Sequence, residues 1–410
     1  VKLRPYQEAG RDFLAGRKHA YLGDEMRLGK SAQAVTAAEK AGAQRILVVA
    51  PSIAGPVWQR EFVRWGGIGA SLLGPEGPGD SRVLVASYNR AVAQLPALCA
   101  RRWDALIVDE AHFAKSPDAM RTAAIYGKDG LAWAAGAVWP LSGTPAPKHA
   151  AELWPVMRAF GVTRMSYDSF VRTYCTGYPH ERRFRVTGTK ESMIPELREM
   201  LRTFLLRRTR REVAPELPEL EFDFLPIEGR APEAWEGAPE DDAALMAWLE
   251  ARHEHDAELR RMVALAKADA VIEHVGLALA NDLLPATVVF GMHTEPLERV
   301  ADACGGALLT GKQSMREREA VQRDFRAGKT RLVCANIQAA GTAIDLSAAS
   351  HGYFLELSYV PGDNLQAANR LVSLEKHEPV TMDVATWPGS TDDRVQGVLL
   401  RRVKQLSKLY

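Results

Sequence analysis

Two stretches of this chain carry residues whose types and spacing could do chemistry. Trp103-Asp104-Ala105-Leu106-Ile107-Val108-Asp109-Glu110-Ala111-His112 is an apolar run of strand length ending in two adjacent carboxylates. A buried parallel strand delivers acids in this way to the rim of an α/β sheet, where ligands bind. Successive side chains on a strand point to opposite faces, so Asp109 and Glu110 must take different roles. One can hold Mg²⁺, directly or through water, while the other orients and deprotonates a water facing a γ-phosphate. A strand ending in a solvated acidic turn has the same pattern. A phosphate loop upstream and an arginine far downstream would separate the two.

The upstream stretch is Ala20-Tyr21-Leu22-Gly23-Asp24-Glu25-Met26-Arg27-Leu28-Gly29-Lys30-Ser31-Ala32-Gln33-Ala34-Val35. A short apolar strand, a loop and Gly-Lys-Ser opening a helical pattern form the context a phosphate loop requires. Backbone N–H groups and the helix N-terminus would wrap phosphates, Lys30 would bring charge to the β/γ position, and the Ser31 hydroxyl would reach Mg²⁺.

Both stretches need a sheet to position them. Arg45–Pro51, Arg82–Tyr88 and Ala137–Pro145 are apolar runs ending in Pro, Ser, Thr or Gly, which reads as strands of one parallel sheet with a shared edge. Those terminal residues suit contacts to phosphates and equally suit turns and N-caps. Leu3 to Leu14 reads as an amphipathic helix started by Pro5, with Ala9, Phe13 and Leu14 on one side. Its Gln7 amide could pair with an adenine edge. A second alternation of strand and helix runs through Ala286–His293, Leu308–Lys312, helix Arg316–Phe325 and strand Arg331–Asn336, and indicates a second parallel α/β sheet.

Between Pro147 and Phe204 the pattern is mostly helical, with Tyr167, Phe170, Tyr174, Tyr178, Arg182, Arg183, Phe184 and Arg185 interleaved. They could grip nucleic acid or form a small satellite core. Residues 229 to 283 start acidic and continue as long helices, where the His253/His255 pair lacks the spacing of a helical metal site.

With 410 residues, 47% hydrophobic and 25% charged, the chain has the composition of a soluble globular protein with room for two cores. A net charge of +1 excludes an argument for nucleic acid from bulk charge, so local clusters such as Leu206-Arg207-Arg208-Thr209-Arg210-Arg211 would have to meet it. Cys99, Cys175, Cys304 and Cys334 form no C-x-x-C pair, which argues against zinc and a disulfide framework. No stretch reaches the roughly 20 apolar residues of a membrane span and the N-terminus is no signal peptide, so a cytoplasmic protein is expected.

Leu3-Arg4-Pro5-Tyr6-Gln7, Asp24 to Ser31, Asp109-Glu110-Ala111-His112 and Leu141-Ser142-Gly143-Thr144-Pro145 resemble, in order and spacing, the first-lobe motifs of the SWI/SNF family of DNA-translocating ATPases in helicase superfamily two. Leu205 to Pro218 resembles the family's segment leading toward the second lobe, and Leu265 to Val271 its start. Ile337 to Leu346 resembles motif five, and Leu365-Gln366-Ala367-Ala368-Asn369-Arg370 motif six. The joining segment and Ala339-Ala340 are similar to the HARP-type annealing-helicase branch. The resemblance implies two RecA-like α/β lobes with parallel sheets and helical protrusions. These are a first lobe over 1–220 with its protrusion at about 148–210, a connector over 221–284 and a second lobe over 285–410. It implies ATP and Mg²⁺ as cofactors and double-stranded DNA as partner to a monomer brought to its task by other proteins, in a bacterial or host-cell cytoplasm or a eukaryotic nucleus.

Carried over by position, Arg4, Gln7, Gly29, Lys30, Ser31, Gly341, Asp345 and Gln366 would bind ATP. Ser31 and Asp109 would hold the metal, Lys30, Asp109 and Glu110 would act in hydrolysis, and Arg370 would cross the interlobe cleft as an arginine finger. Ser52, Ser87, Tyr88, Thr310 and Gly311 would touch DNA phosphates. Two positions depart from the family pattern. Ser373 stands where a second motif-six arginine belongs, with Arg318 as a substitute. Arg27 stands where the loop has glycine, so it needs negative φ or some strain. The expected activity is translocation on duplex DNA, with an ATP-controlled clamp of weak turnover or a strand-separating helicase as alternatives.

Overall fold

The computed structural model describes residues 2–180, 183–216, 220–229, 231, 237–241, 244–245, 248–249, 257–340, 344–373, 376 and 378–406. Gly341 and the His253/His255 pair lie outside them. The chain divides into two compact units between Val213 and Ala214.

The first unit is built on a seven-stranded sheet in the order β3-β4-β2-β5-β6-β1-β9, every neighbour parallel. These strands are β1 (Tyr21–Leu22), β2 (Ile46–Ala50), β3 (Ser71–Leu72), β4 (Val83–Ser87), β5 (Trp103–Asp109), β6 (Ala135–Leu141) and β9 (Leu205–Leu206). β2 is buried at all five positions, as a strand covered on both faces must be. Because β1, β6 and β5 are consecutive in the sheet, the carboxyl ends that carry the phosphate loop, Ser142-Gly143-Thr144 and Asp109-Glu110 adjoin.

Helix α1 (Pro5–Ala15) packs on α2 (Lys30–Lys40). Its buried face is Tyr6, Gln7, Gly10 and Leu14 rather than the expected Ala9, Phe13 and Leu14, and Ala9 is exposed. The reason is close approach: a Cβ on Gly10 would lie 1.7 Å from Gln33 Oε1 of α2.

The segment expected to be mostly helical also holds an antiparallel hairpin, β7 (Cys175–His180) and β8 (Arg183–Thr189). Phe170 and Tyr174 are buried, which is the satellite core, while Tyr178 is exposed and Arg172 lies over the Phe184 ring.

The second unit has a six-stranded parallel sheet in the order β10-β15-β14-β11-β13-β12. Its strands are β10 (Leu220–Pro226), β11 (Thr287–Gly291), β12 (Ala307–Leu309), β13 (Leu332–Asn336), β14 (His351–Phe354) and β15 (Val380–Thr386). The expected helical connector therefore begins as a strand, in register with β15 over its whole length. The connector's long helix is Ala257–Ala280, whose Lys267 is fully buried 2.8 Å from Asp392. The two parallel α/β sheets agree with the fold class expected from the sequence. Among the described residues no helix is long and apolar enough to cross a membrane.

Candidate functional site

The phosphate loop leaves β1 and ends at Gly29, the N-cap of α2, in the left-handed region at φ +73°. Glycine is required there twice over, since a Cβ would lie 2.4 Å from Gln7 Nε2. Gln7 is itself pinned: Nε2 donates to Leu28 O at 3.2 Å, and Oε1 accepts from Arg4 N at 2.9 Å. Arg27 takes the strained alternative at φ +67°, at an intrinsic cost of about 1–2 kcal/mol for an L-residue.

Lys30 Nζ donates to Asp24 O at 2.8 Å and Glu25 O at 3.3 Å. Burial pulls this amine below the usual lysine range, against the upward pull of Glu110, Asp24 and Asp109. Ser31 follows in the first turn of α2.

The acid turn is held from three sides. Trp58 Nε1 donates to Asp109 Oδ2 at 2.8 Å, and the Glu110 N–H donates to Asp109 Oδ1 at 3.0 Å. Three tryptophans of the first unit are fully buried; Trp103 and Trp139 spend their N–H on the carbonyls of Leu98 and Arg17, and Trp58 alone spends it on a carboxylate. Tyr88 OH lies 2.8 Å from Asp109 O and 3.2 Å from Glu110 O.

Glu110 stands at φ +48°, which turns its side chain off the strand axis. His112 Nδ1 lies 3.0 Å from Ser142 Oγ and 3.3 Å from Glu110 Oε2. Burial, then Lys115, Arg121 and Lys30, push His112 down to about 3, so the ring is neutral at pH 7.

The phosphate loop is clamped by the segment expected to be a nucleic-acid cluster. The ladder of β1 with β9 continues past both strands: Gly23 N donates to Leu206 O at 2.7 Å and Glu25 N to Arg208 O at 2.9 Å. The side chains follow. Arg207 Nη1 donates to Gly23 O at 2.8 Å and Gly143 O at 2.9 Å. Arg208 grips the fully buried Asp24 through Nε at 2.9 Å and Nη2 at 2.5 Å. Arg210 Nη2 lies 2.7 Å from Glu25 Oε1. Only Arg211 of the four arginines is exposed, so three of them serve the loop rather than a DNA surface.

The expected DNA-contacting residues fare unequally. Ser52 is exposed after β2, and Ser87 caps the helix Tyr88–Ala93 by accepting from Arg90 N at 3.2 Å. Tyr88 is 6% exposed and supports the acid turn, which corrects its expected place on a DNA surface.

In the second unit, Thr310 is buried, its N–H donates to Gln313 Oε1 at 2.6 Å, and Gly311 is exposed. Arg318 Nη2 donates to Thr310 O at 2.8 Å, a structural use for the residue expected to substitute for a finger. Asp345 pairs with Arg326 at 2.6 Å. Gln366 is buried in helix Pro361–Ala368, and Arg370 follows that helix, its carbonyl accepting from Leu346 N at 3.0 Å. Sequence reading missed Glu356, buried, with Oε1 accepting from the N–H groups of Met292 and His293 at 2.9 Å each.

Among the described residues no three His, Cys, Asp or Glu side chains form a metal cage. Mg²⁺ is commonly held by one or two protein oxygens together with substrate phosphates. Asp109 ends β5, Ser31 opens the helix, and Lys30 and a helix N-terminus face the same loop, a donor set that fits a metal-bound polyphosphate.

Comparison with known proteins agrees in outline. A domain model described as the helicase conserved C-terminal domain matches residues 277–374. Among curated proteins, the chain is 26% identical to "DNA annealing helicase and endonuclease ZRANB3" of Bos taurus, over 98% of this chain and 40% of that protein. It is 26% identical to "SWI/SNF-related matrix-associated actin-dependent regulator of chromatin subfamily A-like protein 1 homolog" of Caenorhabditis elegans, over 100% of this chain and 62% of that one. It is 25% identical to "Putative ATP-dependent helicase/translocase YwqA" of Bacillus subtilis, over 97% and 47%. The chain thus spans between 40% and 62% of the length of these relatives. The SNF2-related domain model matches residues 6–228, more than half of the 410 residues, and the chain therefore belongs to the SNF2-related family.

Proposed function

We propose that the chain hydrolyses ATP and uses the cycle to move along double-stranded DNA without reading its sequence. The observation that supports this reading is the convergence of Lys30, Asp109 and Glu110 in one electrostatic neighbourhood at adjoining strand ends of the first sheet. On nucleotide binding the Lys30 amine exchanges the carbonyls of Asp24 and Glu25 for phosphate oxygens. Gln7, after its two internal hydrogen bonds, keeps one N–H and one lone pair for an adenine edge, with Arg4 and Gly29 framing it. Ser31 and Asp109 would hold Mg²⁺, which neutralises charge on the phosphates. Glu110 takes the proton of the attacking water, beside the neutral His112 ring. Gly341, Asp345 and Gln366 are the second unit's proposed nucleotide contacts, and Arg370 its proposed finger.

Ser52, Ser87, Thr310 and Gly311 are the proposed contacts to DNA phosphates, which position a motor without specifying sequence. The relatives, a DNA annealing helicase and a putative helicase/translocase, support DNA as the partner.

Ser373, where the resembled motif has arginine, favours a second reading, an ATP-controlled DNA clamp with weak turnover. Steady-state hydrolysis without DNA, with single strands and with duplex tests both. A translocase shows strong duplex stimulation that Glu110→Gln lowers about 10²–10⁴-fold. A clamp shows negligible turnover, tight ATP-dependent DNA binding and recovery of hydrolysis in Ser373→Arg. Stimulation by single strands above duplex would point instead to strand separation.

A further inference from the structure

We propose that Glu152 is a positioning residue for hydrolysis, a buried carboxylate that holds the acid turn in place by gripping Lys115, downstream of Glu110 on the same turn. The inference rests on Glu110 as the proposed base and adds what keeps it aimed.

The acid turn needs holding from its far side. Glu110 stands at φ +48°, a left-handed conformation for a residue with a Cβ, and such a residue relaxes unless its surroundings fix it from both directions. Upstream, β5 is paired with β2 and β6, and Trp58 and Tyr88 hold Asp109. Downstream, the chain enters a single 3-10 turn, Ala111–Ala114, in which Phe113 N donates to Glu110 O at 2.9 Å. A turn this short has little hydrogen bonding of its own, so its hold must come from side chains. Two of them leave it for the segment that follows β6: His112 toward Ser142, and Lys115, which caps the turn, toward Glu152.

Of the two, the Lys115 contact is the charged one. Lys115 Nζ lies 2.8 Å from Glu152 Oε1, and the Lys148 N–H donates to Glu152 Oε2 at 2.8 Å, so both carboxylate oxygens are spent. The Glu152 side chain is 7% exposed. A carboxylate at that depth has little water to replace its cation, unlike one of a surface pair. Its neighbour His149 does not compete, because burial keeps that ring below the ordinary histidine range and neutral at pH 7. Glu152 is itself fixed. Its turn, Ala150–Leu153, is buried at all four positions, and Ala150 N donates at 2.9 Å to Oγ1 of Thr189, the last residue of β8. The grip therefore runs from a packed platform to the residue that closes the acid turn. Without it Glu110 can return toward negative φ, which re-aims its carboxylate while the loop that carries Lys30 and Ser31 stays in place. Turnover should suffer and nucleotide affinity should not.

Steady-state kinetics with duplex DNA and hydrogen exchange, both on the full chain, test this together. Glu152→Gln keeps an acceptor for the Lys148 N–H and removes the charge that Lys115 answers. Its kcat should fall about 10–100-fold, as a misplacement of about 1 Å at a reacting group allows, with KM for ATP unchanged. Amide exchange over residues 110–115 should quicken while β5 stays protected. Lys115→Met should match Glu152→Gln, and Lys115→Arg, which keeps the charge and the reach, should retain wild-type kcat. The Lys115→Met/Glu152→Gln double variant leaves neither charge unpaired and should lose no more than either single variant; it replaces them if a single variant is unfolded at the assay temperature. Wild-type kcat in the folded Glu152→Gln protein, or unchanged exchange over 110–115, would overturn the proposal. So would a fall in kcat matched by an equal rise in KM, or Lys115→Arg as slow as Lys115→Met. A wild type that Glu110→Gln does not slow would overturn the reading of Glu110 as the base instead, and exchange, which needs no turnover, would still decide whether Glu152 holds the turn.

Discussion

The groups proposed to meet ATP are arranged differently in the two units. In the first, they hold one another: Lys30 on Asp24 and Glu25 carbonyls, Gln7 on Leu28, Asp109 on Trp58, and the loop as a whole on Arg207, Arg208 and Arg210. In the second, Asp345 pairs with Arg326 across 19 positions and Gln366 is buried within helix Pro361–Ala368. A site built as one network couples its chemistry to its stability. Single residues presented separately can be changed with little cost to the fold, and contribute only when a reacting group reaches them.

Arg370→Ala should show this contrast most strongly. If Arg370 acts on the γ-phosphate, kcat falls about 10³–10⁵-fold, and a melting curve of the variant separates that loss from any loss of stability. A fall in stability comparable with the loss of rate would break the comparison, because Arg370 would then be part of the second unit's framework.

Arg208→Ala should do the reverse. It leaves the carboxylate of Asp24, which is fully buried, without its cation, and loss of one partner of a buried pair costs about 3–5 kcal/mol. Asp24→Asn should restore part of that loss in the Arg208→Ala background, because the uncompensated charge is removed. Urea unfolding of the single and double variants measures the coupling. Additive effects would mean that the arginine segment does not clamp the loop.

Trp58→Phe sharpens the comparison within the first unit. The ring is kept in part and the N–H to Asp109 is lost, which should cost about 1.5–3 kcal/mol as a hydrogen bond to a charged group. Because Asp109 is proposed as a metal ligand, the Mg²⁺ concentration giving half-maximal hydrolysis should also change. Trp103→Phe, which loses only a bond to a backbone carbonyl, should leave that concentration alone.

Both sheets, the phosphate loop and the acid turn were legible because their signals are local: apolar runs of strand length, Gly-Lys-Ser at a strand-to-helix turn and two acids at a strand end. The arginine clamp was not, because Arg208 and Asp24 are 184 positions apart and a run of arginines reads as surface charge until the fold brings β9 beside β1. Trp58 and Asp109 are 51 positions apart and were hidden for the same reason. β10 did carry a signal. Leu220-Glu221-Phe222-Asp223 alternates as a half-covered edge strand does, but the acidic stretch after it drew the segment into the connector. Arg27 shows the limit of a rule about residue type: non-glycine at that position meant strain, and the fold accepts it.

The smallest effect expected is also the one that tests how closed the first unit's network is. His112, held down to about 3 against an ordinary value of 6.5, binds its proton in the unfolded chain at a pH where the folded chain leaves it neutral. Its contribution to stability is therefore complete above about pH 6.5 and is lost progressively as pH falls from there toward 3. Between pH 7.5 and 5.5 this one group should lower stability by about 1 kcal/mol. Urea midpoints of wild type should decline over that range, and those of His112→Gln should decline less by that amount. Equal slopes in the two proteins would mean that His112 takes up a proton in the folded state. Its ring would then face Glu110 as a cation, 3.3 Å from that carboxylate.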